Sequence, residues 1–514
     1  MTAIDLARQT ASPHDTGVYP SRTHLFLDDF YIDRMTNTQR VTTHPQHVTD
    51  GPVFEPQMPW EGQGFIGRNG IIYDPEEKLF KCWYPCHDMN LPTTTAHAKR
   101  RWAYATSEDG LAWERPNLGL VEFEGSTDNN LIRFENVEQF DVVGLLWNVV
   151  KDEREPDPTK RYKAIGLTRH PVRPGEITWT GPKGEDEWYE NLGRHIGCGL
   201  FVGYSSDGLR WTMKEGWAGS GALIMDGTIL HGYDKRIRQW VLWQRPRIIP
   251  KYRIFGVSFS KDFEDWTFPE FGLVPDEHDP PRIEFDGLSS INSPDGGYIG
   301  LLAASGYDGE GFGAHKELPQ LVYSRDAKVW TRVCREPIIR PQHVPPTWDD
   351  GVICPQNPIL LDDDIFIFYY GKNAGHTWGE PTRDGKRMTR SAIGLTKLPR
   401  DRWVSITPEP GKSEGELITS LICVANNELH LNAGAANGSL VVEVIDCQTR
   451  KPPPGFSLAD CDPITTDSLD HTVTWKGNAD LTPLIGSARM QPPVGRGLIF
   501  RFVLKNAHLY TFSC

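Results

Sequence analysis

The chain has 514 residues, 24% of them charged, and a net charge of −14. It is long enough for two or more domains, and its acidity argues against a nucleic-acid or anionic-membrane partner. No apolar run is long enough to span a membrane, and M-T-A-I-D-L-A-R-Q-T lacks the apolar stretch of a secretory signal, so a cytoplasmic protein with its nine scattered cysteines reduced is expected. Residues 1–22 read as a loose arm. Leu25–Asp33 reads as a strand broken by Asp28 and Asp29, and Gly51–Pro56 as an extended approach to Trp60-Glu61-Gly62. A first unit of strands follows at Gly64–Asp74, Lys78–Tyr84 and R-W-A-Y-A-T-S, which ends at Ser107. A second starts at Asp141 with D-V-V-G-L-L-W-N-V-V and continues through Arg161–Leu167. A third starts at Ala222–Asp226 and continues with Gln239–Arg245. A fourth starts at Arg282–Asp286 with Tyr298–Ala304 next, and a fifth at Asp349-Asp350 with Asp364–Gly371 next.

One phrase punctuates these units. Ser-x-Asp-x-x-x-Trp occurs at Ser107–Trp113, Ser205–Trp211, Ser260–Trp266 and Ser324–Trp330, with a degenerate copy from Thr396 to Trp403. Each copy follows a short apolar or aromatic run. Asp-Gly and Lys/Arg-Asp pairs favour tight turns and Trp favours strands, so each copy reads as strand, turn, strand. A β unit repeated every roughly 55–100 residues points to a propeller blade. After Trp403 the texture changes to alternating apolar and polar segments such as G-S-L-V-V-E-V-I-D and L-I-F-R-F-V-L, joined by N-G, P-P-P-G and G-N turns. The expected fold is all-β: a five-bladed β-propeller over residues 1–408, including the N-terminal arm, followed by an antiparallel β-sandwich over 409–514.

First strands of blades line a propeller axis, so acids at their starts converge there. Those acids are Glu61, Asp141, Asp226, Glu284, Asp286, Asp349 and Asp350. Asp is depleted in strands, so an acid at almost every start needs a reason. The structural alternative is a set of turn and strand-start residues bonded to nearby backbone. The functional reading is a carboxylate pair that cleaves a glycosidic bond, one protonated as acid and the other ionised as nucleophile or base. Asp141 and Asp226 begin consecutive units, and Glu284 has the longer reach suited to a general acid. These three are the catalytic candidates, with Asp286, Asp349, Asp350 and Glu61 around the substrate. Arg245, in the basic run Gln244–Arg253, suggests an anion site for a sugar carboxylate or phosphate. His376 sits in a Gly- and Trp-rich loop that would border the axis mouth.

Tyr104–Gly119 (Y-A-T-S-E-D-G-L-A-W-E-R-P-N-L-G), Asp128–Ile132 (D-N-N-L-I) and the ending G-L-I-F-R-F-V-L-K-N-A-H-L-Y-T-F resemble proteins related to glycoside hydrolase family 32. That group shares its five-bladed propeller with families 43, 68 and 130. The resemblance implies a glycosidase with its site at the propeller axis. Three family motifs, W-M-N-D-P-N-G, R-D-P and E-C, are not matched; the nearest stretch to the first is Trp60–Gly70, which lacks its Asp and contributes Arg68 and Asn69 as substrate-binding candidates. The Ser-x-Asp phrase also resembles the Asp box of sialidases, one residue shorter. The expected partner is a small carbohydrate, met in a pocket walled by loops at 170–195 and 372–390. A glycoside phosphorylase and a non-catalytic sugar-binding protein are the alternatives. No cofactor is expected and no motif demands a metal, although the ring of acids has room for a central divalent cation such as calcium. Oligomeric state cannot be read from the chain.

Overall fold

The recurring phrase folds the same way in all four full copies, and its side chains explain why it recurs. The computed structural model describes residues 23–62, 70–87, 100–137, 145–169, 198–215, 218, 225–246, 253–281, 283–306, 316–342, 348–373, 391–424, 426–485 and 497–514. Ser107, Ser205, Ser260 and Ser324 each end a strand. Each hydroxyl bonds the aspartate two residues on, at 3.0–3.2 Å. That carboxylate then accepts two backbone N–H groups, as Asp109 does from Leu111 and Ala112 at 2.8 and 2.9 Å. The tryptophan Nε1 closes the turn by donating to the carbonyl of Gly110, Gly208, Phe263 or Ala327. Those four residues are left-handed, with φ of 77°, 78°, 72° and 70°. The degenerate copy folds differently: Asp401 takes the positive φ, 63°, and Trp403 Nε1 has no hydrogen-bond partner among the described residues.

The protein is nearly all-β. Five antiparallel units follow one another along the chain. Unit 1 is Gly70–Asp74, Leu79–His87 and Arg100–Ser107. Unit 2 is Val149–Lys151, Tyr162–Arg169, Cys198–Ser205 and Arg210–Met213. Unit 3 is Met225–Asp234, Gln239–Pro246, Phe255–Ser260 and Glu270–Leu273. Unit 4 is Glu284–Asn292, Tyr298–Ser305, Glu317–Ser324 and Trp330–Cys334. Unit 5 is Val352–Pro355 and Ile359–Leu361 on one side of Asp364–Lys372, with Ser391–Pro399 on the other. Its outer strand, Gln46–His47, comes from ahead of unit 1.

Separate apolar clusters join neighbouring units. Trp83 and Trp211 lie between units 1 and 2, and Ile165 and Leu242 between units 2 and 3. Val257 and Leu302 join units 3 and 4, and Leu301 and Ile367 join units 4 and 5. Phe80, Phe366 and Phe368 join unit 5 back to unit 1. The turn glycines belong to this packing: a Cβ on Gly208 would lie 2.8 Å from the Trp83 ring, whose Nε1 donates to the Gly208 carbonyl at 2.6 Å.

Two further sheets enclose one cluster that includes Phe26, Leu431, Val442, Phe500, Phe502 and Phe512. Their alternation is plain in Ser439–Asp446, where every second residue is buried. The chain's first described strands belong here. Thr23–Leu25 pairs with His508–Ser513, Ile32–Thr36 with Gly415–Thr419, and Thr38–Thr42 with Val404–Pro408. Leu25–Asp33 is therefore not one strand. Asp28 accepts the Phe30 N–H at 3.1 Å and turns the chain from one sheet to the other. One smaller expectation also changes: Leu145–Trp147 is a 3-10 turn ahead of Val149–Lys151. The one α-helix among the described residues is Thr482–Ile485, and no described helix is long and apolar enough to cross a membrane.

Candidate functional site

First strands carry acids at the turn into the second strand in units 1 to 4, and at or just before the strand start in units 3 to 5. The acids at the turns are closed in by cations or, at Asp295, by a tyrosine hydroxyl. Asp74 is buried and takes Lys81 at 2.8 Å and Lys151 at 2.7 Å. Asp152 takes Lys163 at 2.8 Å, Asp234 takes Arg236 at 2.5 Å, and Asp295 takes the Tyr323 hydroxyl at 2.7 Å. Burial alone would raise the Asp74 pKa, but bonds from Lys151 and Lys81 outweigh it and hold the carboxyl well below the usual range. Asp152 and Asp234 are lowered in the same way, against burial, by Lys163 and by Arg236.

Further along the first strands a polar belt ties the units together. Asn148 Nδ2 donates to Thr228 Oγ1 at 3.0 Å, and its Oδ1 accepts the Leu230 N–H at 2.8 Å. Asn357 donates to the Leu230 carbonyl and accepts from Ser290 N, and Ser289 Oγ donates to the Pro355 carbonyl at 2.6 Å. His231 Nδ1 lies 2.7 Å from Ser290 Oγ. Burial lowers the His231 pKa to about 4, so the belt is uncharged at neutral pH.

At the opposite end, two β-bulges carry acids. In unit 3 the register shifts between Met225 and Thr228, which sets Asp226 and Gly227 against Arg245. In unit 4 it shifts between Phe285 and Gly287, which leaves Asp286 as the extra residue. A bulge frees a residue from the ladder and re-aims it, so an acid there needs no strand propensity. The side chains link the two units. Arg245 pairs with Asp286, while Arg253 lies 3.2 Å from Glu284 and 3.7 Å from Asp286. Gly227 leaves room for this, since a Cβ there would sit 3.2 Å from the Arg245 guanidinium carbon.

A row of paired residues then runs across units 4 and 5. Glu284 pairs with Ser305, Ser305 with Glu317, Glu317 with Val352, Val352 with Lys372 and Lys372 with Ser391. Directly paired residues share a face, so Glu284 and Glu317 project the same way from strands two apart, roughly 10 Å between backbones. Lys316 reaches Asp350 at 2.5 Å.

The sequence candidates divide accordingly. Glu284, Asp286, Arg245 and Asp350 gather at this end, and the backbone of Asp226 joins them. Glu61 lies apart from this end of units 3 to 5. It is 0% exposed, and its carboxylate accepts Gln57 N at 2.6 Å, Met58 N at 2.9 Å, Tyr84 Oη at 2.7 Å and Arg115 Nε at 2.7 Å. Every lone pair has a protein donor, so Glu61 ties the approach to unit 1 to the second strand of that unit and to Arg115. Asp349 is likewise buried, accepting the Tyr369 hydroxyl at 2.9 Å beside a Trp348–Tyr369 stack. Arg68, Asn69, Asp141 and His376, and the loop segments 170–195 and 374–390, lie outside the described residues. Glu317, 1% exposed, was missed because only first strands were read for acids. K-E-L-P-Q-L-V-Y shows the same signal, an acid at the start of an apolar strand. No group of three or more His, Cys, Asp or Glu among the described residues is arranged to hold a metal ion, and none of the cysteines whose side chains are described forms a disulfide.

No family model and no curated protein matches this chain. Among solved structures it is similar to a glycosyl hydrolase from Bacteroides ovatus, at 13% identity over 70% of this chain and 94% of that one, with a TM-score of 0.45. It is also similar to a structure of the family 130 mannoside phosphorylases, described as containing hydrolases that target β-1,2 mannosidic linkages in Candida mannan (13% identity, 72% and 95% covered, TM-score 0.44). A third is a β-1,2-mannobiose phosphorylase from Listeria innocua (12% identity, 69% and 96% covered, TM-score 0.43). At these identities and scores the likenesses settle neither fold nor chemistry, which rest on the residues themselves.

Proposed function

We propose that the five units are the blades of a five-bladed β-propeller, that the two remaining sheets form a second domain which also takes in residues 23–42, and that the protein is a glycoside hydrolase. Its site is the bulged, strand-start end of units 3 to 5. The observation that carries this reading is the Glu284–Ser305–Glu317 row, beside bulges bearing Asp226 and Asp286. Two glutamates on one face, with backbones roughly 10 Å apart, can bring their carboxyls within the about 5–9.5 Å that glycosidic acid–base pairs use. Asp286, clamped by Arg245 and Arg253, positions those arginines to bind sugar hydroxyls. Asp141 stays a candidate from its place in the sequence. The substrate is a small glycoside or oligosaccharide handled in the cytoplasm, and the chemistry requires no cofactor.

Phosphorolysis is the second reading. It is favoured by Arg245, Arg253 and Lys316, three cations at the same end that would suit an attacking phosphate. Aryl-glycosides and disaccharides screened with and without phosphate separate the two. Turnover indifferent to phosphate supports hydrolysis, and a sugar phosphate formed only with phosphate supports the alternative. Saturable sugar binding with no turnover of any glycoside would overturn both.

A further inference from the structure

A cavity of about 570 Å³ opens at the far end of units 4 and 5, where they meet the C-terminal sheets. It is lined by Asn292 and Ser293 of unit 4, Leu360 and Ile365 of unit 5, the Arg400–Trp403 turn, and His430 and Thr511 of the C-terminal sheets. Asn292 is eight residues along its strand from Glu284, which puts the cavity roughly 26 Å from the bulged end. We propose that this cavity is a second binding site, one that takes a small neutral polyhydroxylated molecule such as a monosaccharide.

Three observations define that chemistry. Trp403 Nε1 and Ser293 Oγ are buried in the wall without a hydrogen-bond partner among the described residues, an unmet desolvation cost that a bound hydroxyl would remove. A hydroxyl can accept from an indole N–H and can also donate to or accept from a serine. Next, the basic side chains at the wall are already engaged. Arg400 lies 3.2 Å from Asp363, and His430 lies 2.8 Å from Asp470 and 3.3 Å from Glu428. An anionic ligand would have to displace those carboxylates and meet Asp401 and Asp470, and a cationic group offers no acceptor to the Trp403 N–H, whereas a neutral hydroxylated ligand leaves the pairs intact. Finally, Ile291, Ile299, Leu360, Ile365 and Leu431 supply apolar surface for the C–H face of a sugar ring. The volume lies within the range of small-ligand pockets, about 300–1,000 Å³. The inference does not depend on the hydrolase reading of the bulged end.

The test uses the full chain with ¹⁵N-labelled tryptophan and titrates glucose, galactose, mannose, fructose and glycerol. The Trp403 indole signal is identified by its loss in Trp403→Phe. It should move saturably with at least one of these probes. Ser293→Ala should weaken that binding ~3- to 10-fold, the worth of one neutral hydrogen bond. Glu284→Gln, at the other end of the strand, should leave it unchanged. An unmoved Trp403 signal with every probe, meaning a cavity that holds only water, overturns the proposal. So does a response that vanishes in Glu284→Gln, which would place the sugar at the bulged end. If Trp403→Phe does not fold, calorimetry of Ser293→Ala against the unmodified protein reads the same loss, and equal affinities overturn the site.

Discussion

The two ends of the first strands present similar acids in opposite circumstances. At the turn into the second strand, Asp74, Asp152 and Asp234 are each closed in by lysine or arginine from their own unit or the next. At the strand start, bulges replace regular pairing, and acids and arginines share one another across the boundary between units 3 and 4. A carboxylate saturated by fixed cations serves stability and has no lone pair left for a ligand. A carboxylate lifted out of the ladder by a bulge gives up regular pairing for orientation. Residue type does not distinguish the ends; the pairing register does.

Breaking the sealed end should have the largest effect on stability. Asp74→Asn leaves Lys81 and Lys151, both nearly buried, without their shared anion. Lys81 keeps Glu77 and Lys151 keeps Glu76, each at 2.7 Å, so the loss should fall below the ~3–5 kcal/mol of a fully uncompensated buried charge, at about 2–3 kcal/mol, read as an earlier denaturant midpoint with kcat/KM retained by the fraction still folded. The pH dependence follows from the depressed pKa. The contribution of Asp74 is present above the unfolded carboxyl value near about 3.9 and is lost as pH falls below it, so the unmodified protein should lose stability in acid more steeply than the variant does. At the other end the effect should fall on turnover. Glu284→Gln and Glu317→Gln are each expected to lose at least about 100-fold in kcat, near 2.7 kcal/mol, with little change in melting temperature. Normal turnover in both variants, or unfolding of both, would remove the functional distinction between the two ends.

Much of this contrast was legible in the chain, and what was not has physical causes. The Ser-x-Asp-x-x-x-Trp turns could be read because every bond in them is local, from a hydroxyl, a carboxylate and an indole at fixed offsets. Asp226, Glu284 and Asp286 could be singled out because acids are out of place in strands, although the bulges that explain two of them depend on the partner strand. The bonding of Glu61 is not legible because its partners, Tyr84 and Arg115, lie 23 and 54 residues away. Glu317 was overlooked because its place in the row is set by pairing with Ser305 and Val352, not by being in a first strand. The return of residues 23–42 to the C-terminal sheets leaves no trace in local pattern, since an edge strand alternates in the same way whichever sheet it joins.

Asp401 gives a smaller effect of opposite sign to that of Asp74. Burial, with Asp295 adding and Arg400 opposing, pushes its pKa up to about 6. A raised carboxyl pKa means that stability is full below the unfolded value near about 3.9 and is lost as pH rises through the folded value. Asp401→Asn removes that loss, and asparagine tolerates the left-handed φ of 63° at this position. The variant should therefore be more stable than the unmodified protein at pH 7–8, by ~1–2 kcal/mol because the carboxyl is only partly buried, and should match it near pH 4. A flat difference across that range would mean that Asp401 does not titrate as its surroundings require.

The smallest effect sharpens the comparison among the four turns themselves. All four hold their left-handed residue within 8° of one another, yet two use glycine there and two do not. Phe263 is needed in the cluster between units 2 and 3, so its side chain offsets the strain of the backbone. Ala327 is also buried but contributes only a methyl group to the cluster between units 3 and 4. A left-handed alanine costs roughly 1–2 kcal/mol, against the roughly 0.5–1 kcal/mol that glycine gives up in chain entropy and the small loss of methyl packing. Ala327→Gly should thus change stability by no more than about 0.5 kcal/mol in either direction, while Gly208→Ala, which adds a Cβ 2.8 Å from the Trp83 ring, should cost several times that. Equal costs for the two substitutions in matched denaturant melts would show that the turns are held by their Ser, Asp and Trp bonds alone. Unequal costs would show that packing against the next unit decides where glycine is required.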